Sequence, residues 1–139
     1  MSMMKIFDIS GSAVSSQSQR LNVVASNLAN VDTVAGPDGK AYKAREVTFQ
    51  TVLMGTPDGV PGAGVKVAGV TENQSPGRKV HDPNSPSADA DGYVTYSNVN
   101  AVDEMVNMIS ASRSYQNNIE VMNTAKTLLM KTLQMGQGG

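Results

Sequence analysis

The side chains in this chain that could do chemistry are few, and their spacing argues against each of the usual sites. The single histidine, His81, stands beside Asp82 in a stretch rich in proline. One imidazole cannot build a two-histidine zinc site or an HExxH pair. A serine–histidine–aspartate triad would have to recruit His81, and no GxSxG elbow accompanies it, so His81 reads as a surface loop residue. Asp89-Ala90-Asp91-Gly92 has the spacing of part of a calcium loop. Placing Gly92 at loop position six, however, leaves Ser87 at position one and Asn98 at position twelve, where an aspartate and a bidentate glutamate are needed. That run reads as a turn. Gly36-Pro37-Asp38-Gly39-Lys40 lacks the spacing of a phosphate loop and continues into Ala41 instead of Ser or Thr. Gly62-Ala63-Gly64 has no glycine three residues on. With no cysteine there is neither a disulfide framework nor a thiolate metal site. The expectation is no enzyme, no cofactor and no metal.

Function must then lie in the elements, and proline marks them out. All six prolines fall between Pro37 and Pro86, and none interrupts Ile6–Val31 or Ala101–Met135. Proline inside a helix costs about 3 kcal/mol or more, so both terminal stretches are built as continuous helices. In the first, Phe7, Val14, Leu21 and Leu28 recur every seven residues, with Val24 and Val31 three further on. This is a coiled-coil seam, weakened early by Gly11 and Gln17. The helix is expected to begin near Asp8 or Ser10 and to end around Asn30, with Asn30 to Thr33 as a hydrogen-bonded exit turn. In the second, Asn100 is a good N-cap, and Asp103 and Glu104 suit the positive end of the helix dipole. Val102, Met105, Ile109, Ser112, Ile119, Met122, Leu129 and Leu133 trace a stripe widened by Tyr115 and Ala125, with Gly136, Gly138 and Gly139 as terminators. At 1.5 Å per residue this helix would reach about 50 Å, more than a small globular domain needs.

Nine of the thirteen glycines and all the prolines lie in 32–100. Strand-like runs at Glu46–Leu53, Gly64–Val70 and Tyr93–Tyr96 alternate with turn signals, while Gly55–Ala63 and Ser75–Ser87 read as loops. The predicted class is α+β: residues 1–31 and 101–139 as long helices paired in an antiparallel coiled coil, and 32–100 as a small, loop-rich β region inserted between them.

Composition narrows the partners. A net charge of −1 gives no reason to expect nucleic acid or an anionic membrane surface. No stretch approaches the roughly 18 apolar residues of a membrane span. The opening MSMMKIFDISGSAVSS lacks the apolar core of a signal peptide, so if the protein leaves the cytoplasm, a route other than a cleaved signal is expected. Aromatics are only 4% of residues, and five of the nine methionines lie in the last segment, as core filler or as an adaptable contact surface. Charges number two in Ile6–Val31 and six in Ala101–Met135; the other polar positions are mainly Ser, Asn, Gln and Thr. Freely solvated helices usually carry many Lys–Glu pairs. Small uncharged polar faces desolvate more cheaply and suit burial in an assembly; a plain soluble hairpin with its serines and asparagines in water is the other reading.

Arg20-Leu21-Asn22-Val23-Val24-Ala25-Ser26-Asn27-Leu28-Ala29-Asn30 followed by Thr33 resembles the N-terminal signature of bacterial flagellar rod and hook proteins. The segment Asn98–Leu133, with EMVNMISASRSYQNNIEVMNTAKTLLMKTL, resembles the C-terminal signature of the same family. Val34–Ala44 and Ala88–Val94 are similar to its proximal-rod members, although His81 replaces the more usual tyrosine before Asp82-Pro83. The resemblance implies a structural subunit of the basal-body rod, exported through the flagellar type III apparatus and crossing the periplasm, in a shaft that transmits torque and encloses the export channel. It implies as partners other copies of the chain, FliE and FlgB on one side and FlgF and FlgG on the other. On that reading Leu21, Val24, Leu28 and Val31 are expected to face Ile109, Ile119, Met122 and Leu129 within one subunit. Ser26, Asn27, Asn30, Asn107, Arg113, Gln116 and Asn117 are expected at contacts between subunits. The competing class is a soluble helical-hairpin adaptor or chaperone for flagellar export.

Overall fold

The computed structural model describes residues 3–55, 59 and 61–137. Elements follow in the order α1 (Met3–Ala29), β1 (Arg45–Met54), β2 (Gly62–Glu72), β3 (Lys79–His81), β4 (Tyr93–Thr95) and α2 (Ala101–Gln137). β1 pairs with β2 in one two-stranded sheet and β3 with β4 in another. The α+β class expected from the proline pattern is what the chain adopts: two long terminal helices in contact, with small sheets between them.

The chain divides into two compact units, each drawing on both helices and on the β region. The first gathers Met1–Arg20, Phe49–Ala68 and Ser110–Gly139; the second gathers Leu21–Thr48 and Gly69–Ile109. Early α1 thus groups with late α2, and late α1 with early α2, which is the antiparallel order.

In the first unit α2 buries Ala111 and Ala125 and half-buries Tyr115, Asn118, Met122 and Leu129. These six recur at spacings of four and three, the seam of a helix that follows a neighbour along its length. The face of α1 is built differently. Ser12 accepts a hydrogen bond from Val65 N (3.1 Å), and Ser16, one turn on, donates to Val65 O (3.2 Å). Two small hydroxyls therefore satisfy both backbone groups of one β2 residue, as a neighbouring strand would. Such close docking needs small residues on the strand as well. Gly62 and Gly64 are buried, and a Cβ on Gly64 would overlap the Met54 thioether methyl and lie 2.9 Å from Ser12 Oγ.

In the second unit the pairing of β3 with β4 sets Lys79 opposite Thr95, Val80 opposite Val94 and His81 opposite Tyr93. Val94 is 2% exposed and is the largest apolar side chain that this unit buries completely. The turn expected at Ala90–Gly92 is present. Asp89 Oδ1 accepts from Asp91 N (3.0 Å) and Tyr93 N (2.9 Å), and Gly92 adopts φ 83°, where a Cβ is disfavoured.

Several boundaries differ from expectation. α1 starts at Met3, not near Asp8, because Met3–Phe7 continue the helix through a stretch with neither cap nor proline. Residues 79–81, expected within a loop, form β3, so His81 is an exposed strand residue in edge-to-face contact with Tyr93 at 5.0 Å. Gly136 lies inside α2 and does not end it; Gly138 and Gly139 lie outside the described residues, as does much of the 55–63 loop. Asn100 caps α2 as expected, its Oδ1 accepting from Val102 N (3.0 Å) and Asp103 N (3.2 Å). Asn100→Ala should cost about 1 kcal/mol of stability, read as a lower urea midpoint and faster amide exchange at Val102 and Asp103.

Candidate functional site

Two kinds of surface are candidates for function. One is a polar joint where the helices meet the β region; the other is apolar area left uncovered on α2.

The joint lies in the second unit and centres on Asn27, which is 0% exposed. Its Oδ1 accepts from Arg45 N (2.9 Å) and from the Tyr42 hydroxyl (2.9 Å), while Nδ2 donates to Arg45 O (2.9 Å). The Tyr42 hydroxyl, its proton given to Asn27, accepts from Ser26 Oγ at 3.2 Å. The Arg45 guanidinium lies 6.0 Å from the Tyr42 ring centroid. Asn98, just before α2, holds the next residue back: its Oδ1 accepts from Ala44 N at 2.6 Å, and its Nδ2 donates to Asn73 O (2.8 Å) and Ser75 O (2.9 Å). Ser97 Oγ donates to Val31 O at 2.8 Å, closing the exit of α1. That exit is the turn expected from Asn30 and Thr33, with Thr33 N bonded to Asn30 O (3.2 Å) and Thr33 Oγ1 to Asn30 Oδ1 (3.1 Å).

Each sequence-derived contact residue has a definite place. Leu21, Leu28 and Val31 are half-buried and Val24 is 4% exposed, all in the second unit. Ile119, Met122 and Leu129 are half-buried and belong to the first unit. Ile109, expected in the internal seam, is 57% exposed. On α2 the buried residues are Ala111 and Ala125. Asn27, expected at a subunit contact, is instead wholly buried, with both its side-chain oxygen and its nitrogen hydrogen-bonded inside its own chain. Ser26, Asn30 and Asn107 are half-buried, and Arg113, Gln116 and Asn117 are exposed.

Two stretches of uncovered apolar surface involve α2. In the second unit Val102, Met105, Val106 and Ile109 are 56–68% exposed over two turns of α2. In the first, Ile6, Val121, Ala125 and Leu128 line a groove of about 450 Å³ together with Asn117, Glu120 and Thr124. Contiguous apolar surface of this kind marks interaction sites. Among the described residues no helix is long and apolar enough to cross a membrane, and no group of three or more His, Asp or Glu could hold a metal ion.

Comparison with known proteins agrees with a structural role. Residues 7–37 match the family model described as flagella basal body rod protein, and residues 90–135 match the flagellar basal body rod FlgEFG protein C-terminal model. The flagellar basal-body rod protein FlgC of Salmonella typhimurium is 56% identical over 140 residues, covering 99% of this chain and 100% of the relative. FlgC of Yersinia enterocolitica is 55% identical over 137 residues, and that of Buchnera aphidicola (from Acyrthosiphon pisum) 47% over 139, each again covering 99% of this chain and 100% of the relative. With two long contacting helices and end-to-end similarity to these relatives, the chain belongs to the FlgC family of flagellar basal-body rod proteins, structural and non-enzymatic subunits of the rod.

Proposed function

We propose that this subunit polymerises through the uncovered apolar faces of α2, with other copies of itself and with neighbouring axial proteins, into the proximal part of the rod. FliE and FlgB are the neighbours on one side and FlgF and FlgG on the other. The shaft so formed transmits motor torque across the periplasm and encloses the export channel through which the flagellar type III apparatus delivers subunits, this one included.

The observation that carries the proposal is the exposure of Val102, Met105, Val106 and Ile109 by 56–68% along one face of α2. Covering the exposed half of each contributes roughly 1 kcal/mol, a gain repeated at every subunit of an open-ended, head-to-tail assembly. Arg113, Gln116 and Asn117, exposed on α2, supply polar groups for the same contacts.

Purification of basal bodies from cells making a tagged chain provides the test. The chain should be retained at a fixed ratio to the other rod proteins through high-salt and detergent washes. Recovery only from the cytosol would contradict the proposal and would instead identify an export adaptor.

A further inference from the structure

The joint between α1 and the β region has a property that membership of a rod family does not supply. Residues Ala44 and Arg45, where β1 begins, are gripped from both sides by asparagine side chains. Asn27, in the last turns of α1, takes the N–H and C=O of Arg45. Asn98, three residues before α2, takes the N–H of Ala44. The carbonyl of Ala44 goes to Asn73 N (2.8 Å), and Asn98 bonds the carbonyl of that same Asn73. The N–H and C=O of Arg45 therefore find these partners only when the C-terminal turns of α1 are helical, and the N–H of Ala44 only when Asn98 is docked. Asn27 itself, at 0% exposure, needs the strand as much as the strand needs it. Leaving any one of these groups buried and unpaired costs about 1–3 kcal/mol, so half-formed versions of the joint are disfavoured.

We infer that Asn27 and Asn98 are positioning residues of a clasp that makes order at the start of β1 conditional on order in the last turns of α1. The switch is all-or-none: with α1 unwound, Arg45 loses both of its partners at once and the β region is released. With α1 formed, Asn27 fixes where the β region is attached to the helix. A chain that must be handled unfolded and then set in a fixed register gains both properties from one side chain.

Amide exchange of the intact chain across a trimethylamine-N-oxide series, which favours compact states, tests this. Peptides covering Leu21–Ala29 and Ala44–Thr48 should gain protection at the same osmolyte concentration. Asn98→Ala, which removes no contact to α1, should speed exchange in Leu21–Ala29 about tenfold. Tyr42→Phe, a milder change that removes only the hydroxyl, should give a smaller acceleration in both segments together. Protection of Ala44–Thr48 while Leu21–Ala29 exchanges freely would overturn the inference. So would effects of Asn98→Ala and Tyr42→Phe confined to their own bonded neighbours.

Discussion

Replacing Asn27 by leucine should destabilise the folded chain by about 3–5 kcal/mol, measured as a drop in the urea midpoint at unchanged slope. Leucine is close in volume and suits a buried helix position, so little of the loss comes from packing or helix propensity. The loss comes from the groups left behind: Arg45 N–H, Arg45 C=O and the Tyr42 hydroxyl all lose the partner they have in Asn27. The two stranded Arg45 groups cost roughly 1–3 kcal/mol each, while the Tyr42 hydroxyl keeps Ser26 Oγ at 3.2 Å. Asn22→Leu is the matched control, since Asn22 lies on the exposed side of the same helix, and it should shift stability by no more than about 0.5 kcal/mol. Equal effects of the two substitutions would mean that the buried asparagine contributes nothing special.

The second large effect is expected in assembly and not in folding. Val106→Asp combined with Ile109→Asp places two carboxylates on side chains that are 61% and 57% exposed. In the single chain both stay in water, so circular dichroism and thermal midpoint should change little. In a rod that covers this face, two carboxylates would be desolvated without partners, at a cost of several kcal/mol. Affinity changes tenfold for every 1.4 kcal/mol, so incorporation into rods should fall at least about a hundredfold and swimming should stop. Normal motility of this variant would place the subunit contacts elsewhere.

The sequence carried the architecture well because its signals are local. Proline confinement, the Asn100 cap and the Asp89–Gly92 turn each act within a few residues, and each appears in the structure at its expected place. Strands at Arg45–Met54 and Gly62–Glu72 extend the runs read from their β-favouring residues. β3 was not legible, since three residues between prolines become a strand only by pairing with β4. Of the apolar stripe on α2, Tyr115, Met122, Ala125 and Leu129 are at least half-buried, whereas its first residues are exposed. This helix carries apolar residues on more than one side, and periodicity alone cannot say which side meets the partner. The chain buries Ala111 and Ala125 and leaves the bulkier Val102, Met105 and Ile109 outside.

The scarcity of charge on α1 has a double meaning that only the fold reveals. Its serines and asparagines suggested a face desolvated between subunits. Ser12, Ser16 and Asn27 are desolvated, but by strands of their own chain, whose backbone groups they bond at Val65 and Arg45. A small polar side chain that substitutes for a neighbouring strand cannot be told in sequence from one that faces solvent.

Imaging of intact basal bodies at side-chain resolution tests the central claim most directly, because it reads the cover over each residue of α2. Expected is a neighbouring subunit seated on Val102, Met105, Val106 and Ile109, reducing each from its 56–68% exposure to below about one tenth. A rod in which these four side chains still face water, with its contacts made elsewhere on the chain, would contradict the claim.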